Sequence, residues 1–272
     1  MLSTRWWQLV VGPALRRERD WRTYHNLFVR ASDDIRGLTK WRIERSAARL
    51  PEPEDLEVPA PGGKDDQLVV FKGMGKGFVK LNGHHQLLRR EIEAITHPRW
   101  LEQVRRAGDG MPQAVALHIR RGDFAIPRTP EEMITRGGVQ TPLSWFIDSL
   151  ALVRRRAGWR VPAFVFSDAP PAELEPLLAS GEVRIAHTGS AIADILLMST
   201  ARLLIGSGGS TFSGWAAFLG QMPVVTHVGQ NLNWYHLEPV SGQFIGTLDP
   251  AQPDPLFIDQ VDALLRARSA SS

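Results

Sequence analysis

Ala114-Val-Ala-Leu-His118-Ile-Arg120-Arg121-Gly122-Asp123-Phe124 carries an apolar run straight into an imidazole, two guanidiniums and a carboxylate. Residues 114–119 read as a strand, and its charged exit reads as the start of a site. Adjacent side chains on an extended backbone point to opposite faces. In a packed domain one of the two arginines therefore turns inward unless the strand has already ended, and an inward guanidinium requires an anion. Taken alone, the tetrapeptide from Arg120 to Asp123 is equally compatible with a solvated turn, because Gly and Asp are common where strands end.

A second feature decides between these readings. Leu203-Leu-Ile205-Gly-Ser-Gly-Gly209 runs from an apolar strand into a Ser/Gly turn, followed by Ser210-Thr-Phe-Ser213 and the helix-like Gly214-Trp-Ala-Ala-Phe-Leu219. Glycines let backbone amides approach a ligand closely, and the amides and dipole of a helix start attract phosphate. The hydroxyls of Ser210, Thr211 and Ser213 add donors or simply cap the helix. No lysine follows in the order of a Walker loop, and the GxGxxG dinucleotide pattern is absent.

Between and around these motifs, strand and helix signals alternate. Strand 114–119 is followed by a helix opened by Thr141 and Pro142, with Leu143, Phe146, Ile147, Leu150 and Val153 on one apolar face. Then come strand 163–166, helix 171–178, strand 183–186, helix 191–199, strand 203–205, helix 211–219, strand 223–226 and a final helix over 255–268. Such repetition predicts a parallel sheet covered on both faces, with ligands at the carboxyl ends of its strands. Arg120 and the segment 207–213 both lie at that edge, so they are expected to converge across one crevice.

Three blocks, HIRRGDF at 118–124, FVFSD at 164–168 and ADILLMSTARLLIGSGGSTFSGWAAFLG at 193–220, carry a resemblance to the bacterial alpha-1,2-fucosyltransferases of glycosyltransferase family 11, and more distantly to other GDP-fucose transferases with an HxR motif. The likeness runs from Ala114 to about Val225; the N-terminal third matches poorly. It implies an α/β, GT-B-like fold of two Rossmann-type domains with a shortened N-terminal domain: an acceptor-side unit at 1–110 and a GDP-sugar-binding unit at 111–272. It implies an inverting transfer of fucose from GDP-fucose to a hydroxyl of a glycan or glycolipid acceptor. The alternatives are a transferase of another GDP-sugar, or a non-catalytic relative that binds nucleotide or glycan.

Residue by residue, the resemblance implies that Arg120 binds the diphosphate and that Arg121 assists or holds the turn. His118 would line the nucleotide cleft, Asp194 would read guanine, and Ser210, Thr211, Phe212 and Ser213 would wrap the phosphates. A carboxylate can accept two hydrogen bonds from the guanine edge. Asp194 reads equally well as a first-turn residue of a helix capped by Ser190. Arg120 and Asp123 are the catalytic candidates. As general base, Asp123 near the phosphate site stands beside Asp33 and Asp34, and Asp123 also reads as a turn residue. The chain departs from the family pattern in lacking a Gly-x-Gly-Asn-Gln-like segment near its start and in having Ala169, not an acid, after Ser167-Asp168.

Composition bounds the rest. At 272 residues and 43% hydrophobic, the chain can bury one or two cores. Zero cysteines exclude a disulfide framework and thiolate chemistry. A net charge of +3 does not mark a nucleic-acid binder, and a basic cleft for a diphosphate accounts for it. No Asp-x-Asp occurs, and His84, His85 and His236 lack metal-site spacing, so no metal cofactor is expected. No transmembrane run is present and a cytoplasmic location is expected. Trp6, Trp7 and Trp21 beside Arg16, Arg17 and Arg19 read as core or interface residues, or as a peripheral membrane contact.

Upstream, the Pro-rich stretch from Pro51 to Gly63 excludes regular helix or central strand. Residues 68–71 read as a short strand, 73–80 as a loop with Phe78 filling core, and 87–104 as helical segments broken near Pro98.

Overall fold

The computed structural model describes residues 26–29, 34–51, 67–70, 77–122, 124–136, 138–230 and 236–265. Two short strands come first, β1 (Ala48–Leu50) and β2 (Gln67–Val69), paired in parallel beside helix α1 (Gly37–Ser46). Helices α2 (His85–Ile95) and α3 (Pro98–Ala107) follow, separated at Pro98, which begins α3 where its missing N–H costs nothing.

The main sheet then builds from β3 (Val115–Ile119), β4 (Ala163–Ser167), β5 (Val183–Ile185), β6 (Leu203–Gly206), β7 (Val224–His227) and β8 (Ile245–Leu248). All its pairings are parallel, in the order β5-β4-β3-β6-β7-β8. The chain winds outward from β3 to β5, returns to the other side of β3 and winds outward again. The strand order therefore reverses between β3 and β6. The connecting helices are α4 (Pro130–Thr135), α5 (Leu143–Ala157), α6 (Pro171–Leu178), α7 (Ala191–Met198), α8 (Thr211–Gly220) and, after β8, α9 (Pro255–Leu265).

Residue parity sorts the core. Val115, Leu117 and Ile119 face α5, α6 and α9, where Phe146, Leu150, Leu177 and Phe257 cover them. Ala116 points the other way, with Phe164, Phe166 and Leu204, onto Leu197 and Met198 of α7 and Ala216 and Ala217 of α8. The small alanines let α8 lie close to the sheet, which matters for the site. Indole N–H groups tie the periphery: Trp145 Nε1 donates to Leu248 O at 2.8 Å and Trp159 Nε1 to Leu265 O at 3.0 Å.

Among the described residues the N-terminal part holds the two-stranded β1–β2 sheet. Residues 78–107, assigned by sequence to the N-terminal unit, pack instead as an outer layer on α7 and α8: Phe78, Ile192, Leu196, Phe218 and Leu219 form one buried cluster with Leu88, Ile92 and Leu101 against it. The amphipathic faces of α2 and α3 can be read from sequence, but which surface they cover cannot.

Strand β8 and helix α4 are not part of the sequence reading. Gly246 dilutes the apolar signal of β8, which forms an edge strand, where such dilution is tolerated. Helix α4 is short, although Thr129 caps it and Pro130 opens it.

Phe78 is 1% exposed and stacks on Phe218 at 4.8 Å. Phe78→Ala is expected to lower the unfolding free energy by about 3–5 kcal/mol. In urea titration the loss should appear as one shifted transition, because the outer layer shares this cluster with α7 and α8, which cover the sheet.

Candidate nucleotide site at the strand crossover

The site starts from where β3 ends. Its last ladder partner is Ser167 of β4, opposite Ile119, so the strand has finished before Arg120. The Arg120 N–H then leaves the ladder and donates to Ser207 Oγ at 3.0 Å. Ser207 Oγ in turn donates to His118 O at 3.1 Å, and Ser207 N reaches the same carbonyl at 2.9 Å. One buried serine therefore laces the ends of β3 and β6 together at the point where the strand order reverses. In open α/β sheets that reversal opens the ligand crevice.

Asp168 follows β4 and reaches the same point. Its Oδ1 accepts the Arg121 N–H at 2.7 Å, and its Oδ2 pairs with Arg120 Nη1 at 2.9 Å. The carboxylate side chain is 5% exposed and the guanidinium 15%. Gly122 is required by this approach, since a Cβ there would lie 2.9 Å from Asp168 Oδ2. Phe124 lies beneath the Arg120 guanidinium at 5.4 Å, adding a cation–π contact. The cation is thus preset in orientation, at the mouth of the crevice.

Arg121 does different work. Its Nη1 donates to Gln140 Oε1 at 3.0 Å, and Gln140 Nε2 donates back to the carbonyls of Arg121 and Phe124, each at 3.0 Å. Burial draws this guanidinium below its ordinary value, with Glu173 and Asp168 opposing. Arg121 holds the turn; Arg120 is held by Asp168 at the ends of β3 and β4.

His118 and Ser213 are brought together, but inside the protein. Imidazole Nδ1 and Ser213 Oγ stand 2.8 Å apart, both groups fully buried, and the imidazole stacks on Phe212 at 5.9 Å. This pair fastens the first turn of α8 to β3. Of the remaining polar residues, Ser210 is buried at the N-cap and Thr211 is exposed.

The start of α8 has no side-chain cap, as is also true of α5 and α6. Ser190 caps α7 by accepting from Ala193 N, and Thr129 caps α4 by accepting from Glu132 N, whereas the Ser210 side chain makes no capping bond. The dipole and amides at this helix start favour an anion. Gly208, in the turn just before it, packs so tightly that a Cβ would lie 2.2 Å from Gln230 Cβ.

Asp194 is buried in the first turn of α7 and accepts a hydrogen bond from Thr188 Oγ1. Asp123 and Asp33 lie outside the described residues, as do Trp6, Trp7, Trp21, their neighbouring arginines and most of the proline-rich stretch. Asp34 pairs with Arg36 at the surface. No cluster of acids and histidines suited to a metal occurs among the described residues, and no helix there is long and apolar enough to cross a membrane.

A family model, glycosyl transferase family 11, matches residues 80–238, more than half of the chain. The chain belongs to this family. The matched region begins in the outer helical layer, in keeping with the packing of α2 and α3 on the sheet. Among solved structures, this family 11 chain is similar to the crystal structure of POFUT1 in complex with GDP, at 18% identity and TM-score 0.34, over 48% of this chain and 46% of that one. It is similar to the POFUT1 apo-form at 18% identity and TM-score 0.35, over 48% and 47%. A POFUT1 complex with GDP-fucose matches at 17% identity and TM-score 0.33, over 48% and 47%. The chain thus spans less than half the length of these structures. No curated protein gives a significant match.

Sequence reasoning sets Ser207 at the same edge as Arg120 but assigns no role to it, to Asp168 or to Gln140. Asp168 ends a visible FVFSD run, but only the β3–β4 register sets it beside Arg120. Asp168→Ala removes a buried carboxylate from a guanidinium and a backbone N–H together. Unfolding in urea should show a loss of about 3 kcal/mol, and Asp168→Asn, which keeps an acceptor for Arg121 N, should lose less.

His227, at the end of β7 on the same edge, accepts from Gly229 N at 3.0 Å and packs edge-on to Trp145. Burial lowers its pKa below the ordinary 6.5, with Asp249 opposing. The unfolded chain therefore takes up a proton that the folded histidine resists. Stability should decline as pH falls below about 6.5, and His227→Gln should flatten the part of that decline that it causes in thermal melts across pH 5–7.5.

Proposed function

We propose that this family 11 protein transfers fucose from GDP-fucose to a hydroxyl of a glycan acceptor, with inversion and an alpha-1,2 linkage. The observation that carries the reading is the bond from Arg120 N to Ser207 Oγ at the strand crossover, which sets the turn bearing Arg120 beside the glycine turn that leads into α8. A cation and a helix start on the same crevice suit a diphosphate.

In the reaction the acceptor oxygen forms a bond to the anomeric carbon as the bond from that carbon to the β-phosphate oxygen breaks. The electron pair leaves with GDP, and the acceptor proton passes to a base. Asp123, next after Gly122, is the base in this proposal. Charge grows on the diphosphate in the transition state, and a guanidinium already oriented by Asp168 opposes it without reorganising. Arg121, Gln140 and Ser207 act as positioning residues that hold the turn bearing Arg120. His118 and Ser213 hold α8 in place from below. Asp194 is the proposed guanine reader, in which role its bond to Thr188 orients the carboxylate.

The reading needs no metal: in this scheme Arg120 and the helix dipole supply the positive field. The two-domain GT-B-like organisation and the cytoplasmic location belong to the same proposal.

Thermal-shift measurements against GDP, UDP, CMP and ADP should give a selective rise with GDP. A ligand at a hundred times its dissociation constant stabilises by about 2.7 kcal/mol. A rise with UDP instead would end the fucose assignment. Arg120→Ala should remove the GDP response and lower transfer by about 10²–10³-fold, and transfer by the unaltered protein should persist in EDTA.

A further inference from the structure

A cleft of about 290 Å³ opens beside Gly208 and Gly209, on the β7 side of the crossover. It exists because the chain after β3 arches over the carboxyl edge before entering α5. Gln140 ties the near end of this arch to the carbonyls of Arg121 and Phe124, and Ala125 bridges to Val139. The far end is tied to the loop after β7: Gln230 Nε2 donates to Val139 O at 2.8 Å and Thr141 Oγ1 donates to Gln230 Oε1 at 2.6 Å. Helix α4, carried on the arch, is thereby held opposite the glycine turn. Near its base the two walls touch, since a Cβ on Gly229 would lie 2.9 Å from Met133 Cβ.

The cleft is mixed in character. Met133, Ile134 and Val228 line it with aliphatic groups, and Thr135 and Arg136 with polar ones. Ile134 is 74% exposed and Val228 54%. Gln230 is committed to the arch, so its amide serves the walls. The volume is near the lower end of the roughly 300–1,000 Å³ of small-molecule pockets, and it leaves room for a pyranose ring.

Direction follows from the strand order. Helix α7, which bears Asp194, begins after β5, on the far side of β3 from β6 and β7. A diphosphate at the crossover, with its nucleoside towards α7, has its sugar towards β7.

Resting on the GDP-sugar reading above, we infer that the cleft between α4, the glycine turn and Val228 is the subsite for the transferred pyranosyl group of the donor. A 6-deoxy sugar sets its methyl and C–H faces against Met133, Ile134 and Val228 and its hydroxyls towards Thr135 and Arg136. Ile134 and Val228 are then specificity-determining residues that touch the sugar and leave the nucleotide alone.

Calorimetric titration of the full chain with GDP and with GDP-fucose tests this, using Ile134→Trp and Val228→Trp. Both side chains are exposed, so the variants should fold, as circular dichroism would verify. The expected result is a GDP dissociation constant unchanged within about twofold and GDP-fucose binding weakened by about tenfold or more as the indole fills the cleft. Equal effects on both ligands, or on neither, would overturn the sugar subsite while leaving the nucleotide site standing. Failure of the unaltered protein to bind GDP would overturn the nucleotide reading, and this one with it.

Discussion

The Ser207 hydroxyl, shared between the carbonyl of His118 and the amide of Arg120, is the constraint on which the site depends. It lets β3 end without leaving the next N–H unsatisfied inside the protein, and it does so across the two strands where the sheet reverses its winding. A buried backbone group without a partner costs on the order of a lost hydrogen bond. The serine therefore sets where the charged turn begins and which strand it begins beside.

From that joint the charges are arranged by packing as much as by attraction. Asp168 takes a backbone N–H and a guanidinium at once, so the acid that stabilises the turn also aims Arg120. A largely buried pair of this kind contributes little net stability beyond an apolar substitute, but breaking it is costly. Its value here is orientation: the cation stands in one place before any ligand arrives. The second arginine is spent on Gln140, and the division of labour between adjacent arginines follows from one pairing with Asp168 and the other with the loop.

The helix that completes the crevice is fixed from below. His118 and Ser213 join β3 to the first turn of α8 beneath the site, and alanines on both surfaces allow the approach. The polar run after the glycines therefore serves two ends, with Ser213 inward and Thr211 at the surface. Helices α2 and α3 brace α7 and α8 from outside, so the family 11 region begins ahead of the sheet that bears its motifs.

The amino-acid sequence by itself determined the local matter: the alternation of strands and helices from β3 to α8, the charged end of β3 and the glycine turn after β6, because period, turn chemistry and helix starts are written in neighbouring residues. The α/β class and the carboxyl edge followed from these. Only the tertiary structure decided which strands lie side by side, and with that the pairing of Asp168 with Arg120, the bridge through Ser207 and the burial of His118. Register between strands distant in sequence depends on packing across the whole sheet, and no local pattern records it. The same holds for the outer helical layer, whose apolar faces are legible while the surface they cover is settled by the shape of α7 and α8.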